Sequence, residues 1–562
     1  MITISKYLGL RTHTFSSNQV ILFSSLFIVL SYNQRFWSTL FSVVDPFQPG
    51  NIVFILSVMM VIFSVTYLLL SLFCFRKLLK PLLTFLFILS SITAYYIESY
   101  SIFFDLSMIQ NVFETDVNEA MELLDVSIFL YAFFYGVLPS AIIWSVKIHN
   151  DSLSKDIKNR VVGVISSFII TSLGVYSTYK DFTFVFRENK QITFLLNPWS
   201  PINSTYEYAD KKLTSKKKFN TIFTDATQQQ HSKEKKKKLF IMILGETARA
   251  ESFHINGYAR NTTPNVEKEN IINFGNVSSC GTSTAISLPC IFSHLNRKNF
   301  DVEEAESNSN LLDALRNAGI NVLWRDNNSG CKGVCGRVKS ESSDQFSIDT
   351  FCNENGCFDE VLLNELDKYL NTIEKDTYIV LHQQGSHGPA YFKRYPQSFA
   401  RFKPECRSST VHKCTHEEVV NSYDNTILYT DYFISKVIDY LKRKTSTYDT
   451  AMLYVSDHGE SLGENGVYLH GLPYFMAPSH QTQVPLLMWL SDGFSIAQKV
   501  NISCLHDKKN EAISHDNILH SVLGIMDVNT SRYNKQYDIF SSCKKSTLSL
   551  TNKEKKYKHL NM

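Results

Sequence analysis

The chain is short of charge, glycine and proline. Asp, Glu, Lys and Arg make up 19% of its 562 residues, against about a quarter in an average soluble domain. Its 22 Gly and 14 Pro fall well below the roughly 7% and 5% of ordinary usage. Collagen-like repeats and wholesale disorder both need the residues that are scarce here, so both are excluded. Neither sign of charge dominates: 56 Lys and Arg stand against 53 Asp and Glu, a net +3 at pH 7. So small a surplus gives no footing for nucleic acid as a partner. What is abundant is apolar and aromatic, with 40 Phe and 28 Tyr. Yet the mean hydropathy is −0.10, too polar for a chain embedded in a membrane throughout. That average fits either one ordinary soluble protein or an apolar part joined to a polar one.

The apolar residues are not spread evenly. The first third holds long apolar runs at 15–32, 51–74, 79–104, 126–148 and 159–180. Each is near the roughly 20 residues a helix needs to cross a bilayer. The first has no small-residue cleavage site after it and four more runs follow, so it reads as a retained anchor, not a signal peptide. Lys6 and Arg11 precede it. Arg76, Lys77 and Lys80 lie between runs two and three, and Lys147, Lys155, Lys158 and Arg160 between runs four and five. The other loops are poor in Lys and Arg, and the one after run three carries Asp105, Glu114, Asp116, Glu119, Glu122 and Asp125. The positive-inside rule then expects a cytoplasmic N-terminus, and five crossings put everything after about residue 182 outside.

Residues 183–238 read as a polar linker with the lysine runs Lys216–Lys218 and Lys235–Lys238, either solvated or lying on anionic head groups. From Leu239 the pattern becomes α/β. Short apolar runs at Leu239–Leu244, Asn321–Trp324, Thr377–His382 and Ala451–Val455 alternate with helical stretches such as 359–373 and 423–443. Such alternation predicts a largely parallel sheet covered by helices. The expected divisions are 1–182, 183–238, 239–545 and a frayed tail at 546–562.

Cysteines agree with the compartment. Cys74 falls at the end of the second run, and the other ten all lie in the outside part. An even number outside suits an oxidising space. Spacing suggests the local pairs Cys280–Cys290, Cys331–Cys335, Cys352–Cys357 and Cys406–Cys414, leaving Cys504 with Cys543. Zinc-finger ligation is the competing use of such sulfurs.

In open α/β sheets, sites form beyond the carboxyl ends of strands. Three expected strands end in groups that carry chemistry: Gly245-Glu246-Thr247-Ala248-Arg249, Gly385-Ser386-His387-Gly388-Pro389 and Ser456-Asp457-His458-Gly459-Glu460. Carboxylate and imidazole at separate strand ends suit a zinc site. Cys280-Gly281-Thr282-Ser283-Thr284 leads into an expected helix, whose N-terminus would bind phosphate. A hydroxyl there could serve as a nucleophile or as a plain helix cap.

Together these motifs resemble the phosphoethanolamine transferases of Gram-negative inner membranes, which include lipid A enzymes behind polymyxin resistance. The resemblance covers essentially the whole chain. It implies a five-helix transmembrane domain and a periplasmic domain of the sulfatase and alkaline-phosphatase type. By residue, it implies Glu246, Thr284, Asp457 and His458 as zinc ligands, with Thr284 also the nucleophile. His387 and His470 match histidines that contact substrate phosphate or a second zinc, and Lys332 matches a substrate-facing lysine. Asn111, Thr115 and Glu119, spaced four apart and so on one helix face, match contacts to the head group of the lipid donor. The implied reaction moves phosphoethanolamine from phosphatidylethanolamine to lipid A or the lipopolysaccharide core. A phosphoglycerol transferase, a sulfatase-like hydrolase and a non-catalytic membrane scaffold are the competing expectations.

Overall fold

The computed structural model describes residues 14–115, 117–149, 152–214, 218–228, 236–345, 350–353 and 355–544. Lys6, Arg11, Asp116, Lys216, Lys217, Lys235 and the tail at 546–562 lie outside the described residues. The chain forms two compact units, Met1–Gln110 with Leu124–Lys212, and Asn111–Leu123 with Leu213–Met562.

The first unit is helical. Its main elements are α1 (Ser17–Ser31), α2 (Pro49–Phe73), α3 (Arg76–Tyr100), α4 (Val126–Ser145) and α5 (Leu153–Ser177). Each falls on one of the five apolar runs. Among the described residues, four are long and apolar enough to cross a membrane, and α1, at 15 residues, is shorter. Their outer faces are greasy: Phe23, Val53, Met60, Phe85, Phe129, Phe168 and Leu173 are all at least half exposed. A water-soluble unit would bury such residues, whereas lipid accepts them. Several polar groups inside the unit find partners, as a low-dielectric surrounding favours. Asn197 bonds to Asn33, Ser90 and Thr93 at 2.8–3.0 Å. Arg160 pairs with Asp156 at 3.2 Å and reaches the Ser71 carbonyl at 2.8 Å.

The expected linker is more ordered than its polarity suggests. Helices continue through Tyr179–Glu188 and Trp199–Thr214. Phe182, Val185 and Ile192 pack with Phe54 and Ile97, so a few apolar anchors hold a polar stretch in place.

The second unit is built on a seven-stranded sheet. Its strands are β1 (Lys237–Gly245), β2 (Ile272–Phe274), β3 (Asn321–Asp326), β4 (Lys339–Ser342), β5 (Thr377–His382), β6 (Tyr448–Ser456) and β7 (Leu486–Leu490), in the order β2-β7-β6-β1-β5-β3-β4. The run from β6 through β4 is parallel, and β7 is antiparallel to both its neighbours. The central strands are buried along both faces, which is why their sequences read as unbroken apolar runs. The long helix α7 (His416–Lys444) starts with a capping box between Thr415 and Glu418 and ends in Lys442, Arg443 and Lys444, opposite in charge to each end of its dipole. The helix expected at 359–373 is broken into the turn Asp359–Leu363 and the helix Leu366–Leu370. Glu365, at φ 52°, turns the chain between them.

Five disulfides brace this unit: Cys280–Cys290, Cys331–Cys335, Cys352–Cys357, Cys406–Cys414 and Cys504–Cys543. Cys74 is free and buried.

Candidate active site

Strand register assembles the site. Ser456 of β6 lies beside Gly245 of β1, and His382 of β5 lies beside both Leu244 and Asp326. The carboxyl ends of four neighbouring strands are therefore level, and the next residues leave the sheet together. Glu246 follows β1, and Asp457 and His458 follow β6. Gly385 lets the loop after β5 pass closely. It has φ 55°, and a Cβ there would stand 2.7 Å from the Glu246 carbonyl oxygen.

Helix α6 (Thr284–Phe292) brings the hydroxyl. Thr284 is its first residue, where the helix dipole and free N–H groups favour an anion. The Thr284 Oγ1 stands 3.1 Å and 3.2 Å from the Glu246 carboxylate oxygens and 3.3 Å from His458 Nε2. His458 Nε2 is 3.3 Å from Glu246 and 3.4 Å from Asp457 Oδ2. Four groups on three elements thus face one point.

All three ionisable members are at most 1% exposed. Burial opposes ionisation of Glu246, yet hydrogen bonding and charge from His458, with a contribution from His387, hold its carboxyl well below the usual range. Burial and the facing Glu246 charge push Asp457 up to about 6. Burial pulls the His458 imidazole down, but the two carboxylates win and raise it to about 10. Two buried carboxylates at this spacing call for a cation. Asp457 Oδ2 and the Ser283 hydroxyl are also buried without hydrogen-bond partners. Carboxylate, imidazole and hydroxyl oxygen converging with an unsatisfied lone pair fit a divalent metal, and zinc takes this donor set.

Neighbouring side chains hold these groups in place. Thr247 Oγ1 donates to Glu246 at 2.6 Å, and its N–H donates to Asp457 Oδ1 at 3.1 Å. Asn328 Nδ2 donates to Glu246 at 2.9 Å and to the Gln383 carbonyl at 2.8 Å. His515 is 1% exposed, takes the Cys280 N–H at 3.0 Å and gives a bond to the Ser456 carbonyl at 2.9 Å. It therefore ties the loop before α6 to the end of β6. Thr247 lies in a strand-end segment that the sequence already marks, whereas Asn328 lies in none. His515 carries no local sequence signal, because its partners are main-chain atoms far away in the chain.

The other expected residues fall into two groups. The His470 ring lies 4.4 Å from that of His458, and the His387 ring 5.6 Å from that of His470. His470 Nδ1 is 2.8 Å from Glu460, which also takes the Tyr391 hydroxyl. The His470 imidazole is therefore flanked by those of His458 and His387. Lys332 is engaged elsewhere: its Nζ bonds to the Glu114 carbonyl at 3.0 Å and to Ser329. Asn111 and Thr115 are joined by a 2.6 Å bond from the Thr115 hydroxyl to the Asn111 carbonyl. Glu119 sits on a separate helix, Val117–Glu122, after the first ends at Glu114. The expected single face is thus divided, as a threonine hydroxyl competing for helix carbonyls encourages. The Glu119 side chain lies outside the described residues. Away from these groups, His480 pairs with Glu251 at 2.6 Å and His416 touches the Leu462 carbonyl.

Comparison with known proteins agrees with this architecture. A sulfatase family model matches residues 238–528, and the phosphoethanolamine transferase EptA/EptB model matches residues 62–213. Phosphoethanolamine transferase EptA of Escherichia coli (strain K12) is 37% identical over 528 residues, 93% of this chain and 96% of that protein.

This chain belongs to the phosphoethanolamine transferase family.

Phosphatidylethanolamine transferase Mcr-1 of Escherichia coli is 38% identical over 496 residues, 86% of this chain and 90% of its own. The structure of the integral membrane lipooligosaccharide phosphoethanolamine transferase A (EptA) from Neisseria meningitidis superposes with a TM-score of 0.91 at 35% identity, covering 95% of this chain and all of that one. The protein is therefore a membrane-anchored phosphoethanolamine transferase with a sulfatase-type α/β domain.

Proposed function

We propose that this transferase takes phosphoethanolamine from phosphatidylethanolamine onto Thr284 and delivers it to lipid A or another acceptor on lipopolysaccharide. The observation that carries the proposal is the Thr284 hydroxyl, held at a helix N-terminus within 3.3 Å of Glu246 and His458. Names among the relatives support the acceptor. One is a Kdo(2)-lipid A phosphoethanolamine 7''-transferase of Salmonella typhimurium, 27% identical over 76% of this chain. The phosphatidylethanolamine donor follows from the membrane anchor and the group transferred.

Glu246, Thr284, Asp457 and His458 would hold one zinc ion. Bound zinc supplies Lewis-acid charge that lowers the pKa of a coordinated hydroxyl. The Thr284 oxygen attacks the donor phosphorus. The new O–P bond forms as the bond from phosphorus to the glycerol oxygen breaks, and diacylglycerol leaves once that oxygen is protonated. The α6 N-terminus faces the phosphoryl oxygens with N–H groups. His470, oriented through its Nδ1 by Glu460, and His387 stand where a proton can be given to the leaving oxygen and taken from the acceptor. An acceptor phosphate then attacks the phosphorus and frees Thr284. Asn111, Thr115 and Glu119 receive the ethanolammonium group, with Lys332 close by through its bond to the Glu114 carbonyl. Capping an anionic phosphate with an amine lowers surface negativity and weakens binding of cationic peptides.

For topology, five spans with a cytoplasmic N-terminus place residues 239–545 in the periplasm. Mass spectrometry of lipopolysaccharide from cells with and without the protein tests the acceptor. A mass increment of phosphoethanolamine on lipid A is expected. Free phosphoethanolamine released regardless of acceptor would favour hydrolysis instead.

A further inference from the structure

Glu122 closes the short helix Val117–Glu122, and the reaction just described gives it no part. Its side chain is 12% exposed and meets two cations from the loop after β5. Lys393 Nζ stands 3.4 Å from its Oε1, and Arg394 Nη2 bonds to its Oε2. The Arg394 side chain is only 4% exposed, so its charge is compensated here or not at all. The same guanidinium turns its Nε to the His387 carbonyl at 2.7 Å. One planar group therefore spans from the Glu122 carboxylate to the main chain of His387, with the fork fixing both directions. At the other end of the segment, Lys332 holds the Glu114 carbonyl. Asn111–Leu123 fold within the unit of the sheet, and cations from two loops of the site grip both ends of this stretch.

We infer that Glu122 is a positioning residue: through Arg394 it fixes the backbone of His387, and so keeps that imidazole beside His470. The inference rests on the reading of His387 as a group that serves phosphoryl transfer. Without the carboxylate, a buried guanidinium loses its counter-charge and turns toward water, releasing the His387 carbonyl. Misplacement of a catalytic group by about 1 Å is enough to slow a reaction by up to about a hundredfold. The same contact ties the segment that bears Asn111, Thr115 and Glu119 to the loop that bears His387, so the two are held in one geometry.

The test uses the full-length protein in detergent with phosphatidylethanolamine, reading the rate of Thr284 adduct formation by quenched intact-mass measurement. Glu122→Gln, which keeps size but removes charge, is expected to slow the adduct about tenfold with little change in donor KM. Arg394→Lys keeps the charge pair but lacks the second arm, and is expected to slow it likewise. The double variant Glu122→Gln with His387→Ala is expected to be no slower than His387→Ala alone. Zinc content and thermal unfolding, measured alongside, identify any variant that has lost its fold. Wild-type rates in Glu122→Gln or in Arg394→Lys would overturn the clamp. Equal slowing by Glu122→Gln with and without His387 would also overturn it, since Glu122 would then act elsewhere. A wild-type rate in His387→Ala would overturn the clamp together with the reading of His387, a result distinct from failure of the clamp alone.

Discussion

Thr284 Oγ1 and Glu246 Oε2 stand 3.1 Å apart, one at the start of a helix and the other just past the end of a strand. Beyond that hydrogen bond, each position has a support of its own. Glu246 is fixed by strand register and by Thr247 and Asn328, while Thr284 is fixed by the loop that begins at Cys280. The site therefore depends on two separate supports, and each can be removed alone.

Removing a ligand should empty the site without unfolding the unit. Asp457→Asn keeps volume but loses the charge at the oxygen that has no hydrogen-bond partner. Metal analysis of the purified protein should fall from one zinc per chain to a small fraction, with circular dichroism unchanged. Full zinc retention would count against Asp457 as a ligand.

The Cys280–Cys290 bridge staples the loop before Thr284 to the helix that follows, closing a separation of 10 residues. Replacing both cysteines by serine should cost about 3 kcal/mol, read as a lower thermal midpoint. Transferase activity should fall at temperatures where the variant is still folded. Activity equal to wild type there would show that the staple serves stability alone.

His515 gives a pH signature. Burial pushes its imidazole down to about 3, against about 6.5 in an unfolded chain. The folded protein keeps it neutral while the unfolded chain takes up a proton below pH 6.5. The stability it contributes is therefore complete above that pH and declines as pH falls toward the folded value. Between pH 7.5 and 5.5 the loss is about 1.4 kcal/mol. His515→Gln can keep both main-chain bonds and should lose less stability over that interval by this amount. Equal losses in both proteins, by denaturant titration at the two pH values, would refute the assignment.

Donor recognition should separate from chemistry. Asn111→Ala is expected to raise the donor KM several-fold with kcat little changed, because the head group is bound alike before and during reaction. A fall in kcat at unchanged KM would move Asn111 out of donor binding.

Much of this was readable in the chain because the decisive features are local. The five apolar runs, the buried strands and the Glu246 and Asp457-His458 strand ends are contiguous segments, and each maps onto one element. The strands Ile272–Phe274, Lys339–Ser342 and Leu486–Leu490 were not read, since β2 has only three residues, β4 is short, polar and exposed, and β7 lies among turns. The helical course of 179–214 was hidden because its few apolar anchors find partners far away, such as Phe182 against Phe54. His515, Asn328 and Glu122 owe their places to long-range contacts, and no spacing rule marks them.

In the proposed reaction Thr284 carries the phosphoethanolamine group between donor and acceptor. Intact-mass and peptide mass spectrometry of the protein incubated with phosphatidylethanolamine and no acceptor tests it most directly. One phosphoethanolamine is expected on the peptide containing Thr284, and none in Thr284→Ala. An adduct on any other residue, or undiminished turnover by Thr284→Ala, would contradict it.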